Sequence, residues 1–130
     1  MIIDITNEVF TKIKTDLPTY TVLASYPLTT PIFPCIVFEE MSNITLDGSV
    51  DSDGQHHSDI SFEVNIFSNT ENKMTEVKLI RNLVDSILSD YYGMRRDYSS
   101  VTPNYLDSNI YRYTLRYTCV VSENNTIYRR

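Results

Sequence analysis

Ser58-Asp59-Ile60-Ser61-Phe62-Glu63-Val64-Asn65-Ile66-Phe67-Ser68 alternates apolar and polar residues over most of its length. Successive side chains of a strand point to opposite faces, so Ile60, Phe62, Val64 and Ile66 share one face and Ser61, Glu63 and Asn65 the other. This predicts a half-buried strand over Asp59–Ser68. Asn69-Thr70-Glu71 then stops the strand and caps a helix. Between Asn72 and Tyr92 the period changes: Val77, Ile80, Val84, Ile87, Leu88 and Tyr91 recur at helical spacing. At the usual α-helical rise this element is about 30 Å long, and Gly93 is placed to terminate it. A strand feeding a long amphipathic helix sets the class as α+β.

Upstream, Cys35 to Met41 forms a short apolar strand, preceded by an extended connector broken by Pro27, Pro31 and Pro34. Before the connector, Tyr20, Val22, Ala24 and Tyr26 alternate with Thr and Ser, predicting a strand over Thr19–Tyr26. The chain opens on a helix whose Ile2, Ile5, Val9 and Ile13 lie on one face. Asp4 or Thr6 caps its start, and Leu17-Pro18 ends it, because a residue before proline disfavours the α region. From Ser42 to Ser58 the sequence is polar, with Gly48, Gly54 and several aspartates. It is either a long loop or the tip of an extended β-hairpin.

Downstream, Met94 to Ser99 can form a short strand, and Val101 to Asn109 a turn-rich link around Pro103. In the last strand, Ile110 to Ser122, residues Tyr111, Tyr113, Leu115, Tyr117, Cys119 and Val121 share a face. Residues 123–130 form a polar C-terminal arm. The order is α-β-β-β-α-β-β in one domain over residues 1–122, an antiparallel or mixed sheet with both helices on one face.

A chain of 130 residues buries about two thirds of the surface its unfolded form exposes, enough for one core without staples. Eleven basic and 17 acidic side chains leave a net charge of −6, so nucleic-acid phosphates would on average repel the chain. Met1-Ile2-Ile3-Asp4 has neither the charged region nor the apolar region of a secretory leader, and no apolar run suits a membrane span. Cys35 and Cys119 lack metal or redox spacing and are expected as free, buried thiols. Without a leader, the sequons at Asn43 and Asn124 carry no weight.

No constellation for catalysis emerges. Setting Gly54 as the glycine of a calcium loop puts Ser49, Asp51 and Asp53 in ligand positions, but Ile60 falls where a bidentate Glu is needed. The flanks are also strands, so a solvated acidic loop containing Asp47, Asp51 and Asp53 is the better reading. His56 and His57 are adjacent and point apart on a strand, which disfavours a shared metal. No nucleophile elbow or phosphate-cradling glycine loop is present, and Glu39-Glu40 face apart. The expectation is a non-enzyme without cofactor or metal. Ten tyrosines suit either strands or surfaces buried on association. Tyr111, Tyr113 and Tyr117 are assigned to the core, and Tyr128 to an interface.

The strand Ser58–Ser68, the long helix, Gly93-Met94-Arg95-Arg96, a Pro-containing link, Ile110-Tyr111-Arg112-Tyr113-Thr114-Leu115-Arg116-Tyr117 and Thr126-Ile127-Tyr128-Arg129-Arg130 together form a familiar pattern. With Pro34-Cys35-Ile36-Val37-Phe38-Glu39-Glu40 upstream, the chain resembles the tail-terminator (tail-completion, minor capsid) proteins of long-tailed bacteriophages. The resemblance runs from about Pro34 onward and loosely includes the first helix. It implies a virion subunit forming a hexameric ring at the head-proximal end of the tail, assembled in the bacterial cytoplasm. Its partners would be other copies, the tail-tube protein and a head-completion or connector protein, with DNA passing through unbound and no membrane involved. It would place Asp47, Asp51, Asp53, His56 and His57 on a loop facing the ring or its lumen. Ile127, Tyr128, Arg129 and Arg130 would form an assembly arm. A head-tail connector of the neck and an acidic protein-binding module of the cytoplasm are the alternatives.

Overall fold

The computed structural model describes residues 2–46, 56–103 and 109–128. Helix α1 (Thr6–Asp16) starts where Asp4 Oδ1 accepts a hydrogen bond from the Thr6 backbone N–H at 2.9 Å. Asp4 thus satisfies one of the orphan N–H groups of the first turn, while the N-cap position itself is Ile5, which has no capping side chain. Strands β1 (Thr21–Leu23), β2 (Cys35–Thr45) and β3 (His57–Ser68) follow, then helix α2 (Lys73–Asp85). After α2 come β4 (Arg95–Val101), β5 (Tyr111–Ser122) and a two-residue β6 (Ile127–Tyr128).

The strands form one six-stranded sheet of order β1-β2-β3-β5-β4, with β6 also on β5. β1 is parallel to β2 and every other pairing is antiparallel, so the sheet is mixed. β3 and β5 pair without interruption from His57↔Ser122 to Ser68↔Tyr111. β2 and β4 each carry an irregularity, between Glu40 and Ser42 and between Arg96 and Tyr98. β4 and β6 pair with successive stretches of β5, so they lie end to end along one margin of the sheet.

Both helices bury their apolar residues against the same sheet face. Val9 and Ile13 of α1 and Val77, Ile80 and Val84 of α2 share one cluster with Ile36, Phe38, Phe62, Val64, Leu115, Tyr117 and Cys119. Phe38 and Phe62 stack within it, their ring centroids 4.9 Å apart. On the other face a small cluster of Cys35, Val37 and Phe67 is capped by Leu23, Phe33 and Ile110. The link into β2 crosses here, which lets β1 and β2 run parallel. Tyr26 reaches Phe67 at 5.0 Å between ring centroids. Cys35 and Cys119 are both buried and are not joined in a disulfide.

The start of α2 is fastened to the end of β3 by a side chain. Glu76 Oε1 accepts from the hydroxyl of Ser68 at 2.6 Å and from that of Thr70 at 3.3 Å. The helix then passes into a π-helical turn over Ser86–Tyr91. Tyr92 N–H bonds Ile87 O at 3.0 Å, and Gly93 closes the end with φ 73°. That left-handed conformation is one glycine adopts at no steric cost.

Four sequence expectations change. Ile2 is 83% exposed and Ile3 takes the inward place, because the chain up to Ile5 is extended and not helical. The strand expected over Thr19–Tyr26 shrinks to three residues. The strand expected to end at Met41 runs on to Thr45, since β3 pairs with its polar continuation and resolves the loop-or-hairpin choice for these residues as hairpin. Tyr91 leaves the buried stripe and is 60% exposed, because the wider π turn shifts the helical phase after Leu88.

Candidate functional site

The sheet ends in two margins of different character. On one side β4 pairs, among the described residues, with β5 alone, and all its residues but Ser100 are exposed. On the other, among the described residues β1 pairs with Cys35–Val37 of β2 and no strand pairs with that side of β2 from Phe38 to Thr45, where Thr6 bonds Glu40 and Asn43 bonds Ile3 O. Each margin carries adjacent charges of one sign, Arg95-Arg96 on β4 and Glu39-Glu40 on β2, all four exposed. Large apolar side chains accompany them: Tyr98 and Val101 on one margin, Met41 and Ile44 on the other.

Where the β2–β3 hairpin meets β6, two groups that the sequence reading kept separate come together. His57 Nε2 lies 3.3 Å from Tyr128 Oη, with ring centroids 5.4 Å apart. The tail returns through a turn in which Asn125 takes φ 62° and Thr126 N–H bonds Ser122 Oγ at 3.2 Å. Ile127 then packs against the core. The expected free arm is, over Ile127–Tyr128, the sixth strand of the sheet. Its one apolar side chain is too slight a signal to predict a strand. Near the same corner, Ile3, Thr45, His56, Ser58 and Glu123 line a depression of about 220 Å³. His56 O accepts from Glu123 N–H at 3.1 Å.

Away from the helices, the sheet face carries a hydrogen-bonded ladder across β3, β5 and the margin. Asn65 Oδ1 accepts from Arg112 Nε at 2.9 Å and from Thr114 Oγ1 at 2.7 Å, and Asn65 Nδ2 donates to Glu63 at 2.8 Å. Glu63 pairs with Arg116 at 3.0 Å, and the Arg116 guanidinium stacks 5.1 Å from the Tyr98 ring. Thr118 Oγ1 donates to Asp97, which also pairs with Arg95. On this face Arg116 and Arg95 each pair with a carboxylate of the sheet, Glu63 and Asp97.

On the helical face, Tyr117 donates to Asp85 at 2.6 Å, and Asp85 pairs with Arg96 at 3.1 Å. Burial, then the bond to Asp85, raise the Tyr117 pKa far above that of a free phenol. Tyr113 receives Arg81 at 3.3 Å and lies 2.8 Å from Ser99 Oγ. Burial pushes its pKa up, but the bonds to Ser99 and Arg81, with the charges of Arg81 and Lys78, outweigh burial and leave it below the usual value. These tyrosines fasten β5 to α2 and β4, as their assignment to the core requires. Tyr111 is half-buried and packs against the same cluster.

Asp47, Asp51, Asp53, Arg129 and Arg130 lie outside the described residues. Of the remaining candidates, His57 and Tyr128 meet, His56 is exposed at the hairpin base, and Ile127 faces the core. Among the described residues no group of three or more His, Cys, Asp or Glu is placed to hold a metal. No helix of the described residues is long and apolar enough to cross a membrane. The charged margins were missed as a site because adjacent like charges read as solvated surface until the sheet order is known. Neither a protein-family model nor a curated protein matches the chain.

Proposed function

We propose that this chain is a structural subunit of a long-tailed phage, closing the tail tube as a head-to-tail ring and supporting head joining, as tail terminators do. One observation carries the reading: the sheet ends in two different open margins. A ring built by rotation needs two different, complementary surfaces on each subunit, whereas a two-fold dimer needs one surface that complements itself. The resemblance over Pro34–Arg130 supplies the phage context and the hexameric copy number. A net charge of −6 suits a channel along which DNA slides without adhering.

Light scattering with negative-stain imaging tests this, on the protein alone and after mixing with the parent phage's tail-tube protein. Rings of about six copies, alone or at tube ends, support the reading. A protein that stays monomeric and leaves tubes uncapped defeats it. Capture by the connector but not by the tube would move the subunit to the neck.

A further inference from the structure

The geometry points to a specific contact between copies: the Arg96 end of β4 on one copy docks against Glu40 on the open margin of β2 on the next. This inference rests on the ring reading and names its interface. Glu40 pairs with Phe62, Phe62 with Tyr117, and Tyr117 with Arg96. The two charges therefore sit on one rung at opposite margins of the same sheet. They also lie on the same face, since Glu40 accepts from Thr6 of α1 at 3.2 Å and Arg96 pairs with Asp85 of α2. Repeating the subunit sideways brings Arg96 to Glu40 with little shift along the strands. β1 stops at Val37, short of this rung, where Asp4, Thr6, Ala24, Glu39 and Glu40 line a depression.

Charge also selects among the possible contacts. Two β4 margins facing each other would set Arg95-Arg96 against Arg95-Arg96, and two β2 margins would set Glu39-Glu40 against themselves. Like charges directly opposite disfavour pairing and unlike charges favour it. Only the β4-to-β2 contact joins opposite signs, and it is the one that propagates head to tail. β2 and β4 run in opposite directions, so the approaching strands are antiparallel. Arg96 is about half exposed despite its ion pair (49%), which leaves guanidinium N–H groups for a second carboxylate.

The test is a charge reversal measured by light scattering and by capping of tail tubes. Arg96→Glu and Glu40→Arg should each reduce association at least tenfold, and the double variant Arg96→Glu/Glu40→Arg should restore it. Because Arg96→Glu also disturbs Asp85, melting curves must show each variant folded, and Glu40→Arg reads the same contact from the other margin. Single variants that assemble like the wild type would overturn the contact while leaving the ring reading intact. Loss in the singles without recovery in the double variant would also overturn it. A wild-type protein that is monomeric and caps no tube would remove both readings together.

Discussion

Thr114 Oγ1 donates to Asn65 Oδ1 at 2.7 Å across the β3–β5 pair, and both residues are almost inaccessible to water, 3% and 4% exposed. Their position on the face without helices is unusual for such burial. The neighbouring Arg112, Glu63 and Thr102 cover them and share their bonds.

Asn65→Ala strips the ladder of its centre and leaves buried donors unsatisfied, so it should lower the unfolding free energy by about 2–3 kcal/mol. Arg116→Ala removes a pair whose arginine side chain is 47% exposed, and should change it by less than about 1 kcal/mol. Urea denaturation of the two variants side by side decides the matter. Equal losses would mean that the ladder is not organised around Asn65.

In the core, Phe62→Ala removes the ring stacked on Phe38 from a fully buried site. A loss of about 3–5 kcal/mol is expected, enough to unfold much of the population of an average domain on warming. Val101→Ala, at a margin position 45% exposed, should be nearly neutral. Thermal melts of both variants test the assignment of inside and outside.

Stability should fall on the alkaline side. Burial lifts the Cys35 thiol from 9.0 to about 11 and the Tyr92 phenol from 10.0 to about 12, and raises Tyr117 as well. The folded chain keeps these protons while the unfolded chain releases them, so unfolding gains as pH rises above 9. Tyr113, shifted downward, acts in the opposite sense but is one group against three. The urea midpoint should therefore decline between about pH 9 and pH 11. Cys35→Ala should remove the earliest part of the decline and Tyr117→Phe a later part. A flat midpoint across that range would contradict the burial of these groups.

Ile127 and Tyr128 are adjacent but should separate in their effects. Ile127→Ala gives up core contact and should cost about 1 kcal/mol of folding free energy. Tyr128→Phe removes only the hydroxyl near His57 and should change stability by less than about 0.5 kcal/mol. Amide exchange at β6 provides the check: Ile127→Ala should speed it clearly, and Tyr128→Phe only slightly.

The sequence revealed most where one face of an element is dry. In β3 and β5 alternate side chains enter the core, and in α2 and the turn after it Val77, Ile80, Val84, Ile87 and Leu88 do so, so the periodicity shows in the residues themselves. It revealed least where neighbours decide. Ser42–Thr45 are polar but for Ile44 and become strand because β3 lies beside them. The π turn after Asp85 leaves no residue signature, so Tyr91 was placed one face too far inward. The charged margins were illegible for a related reason: Glu40 and Arg96 are brought to one rung by strand order, which no local spacing encodes.

The uninterrupted β3–β5 pairing also bears on how the chain is made. β3 meets β2 early, through a hairpin, but Asn65 must wait for Thr114, 49 residues later, before its second side is closed. During synthesis from the amino terminus, β3 therefore waits with an unsatisfied backbone edge and an apolar face that β5 has not yet completed. Such an edge invites pairing with other nascent chains. The chain's most vulnerable period thus falls before the ribosome has delivered β5, and rapid translation of the α2-to-β5 region would shorten it.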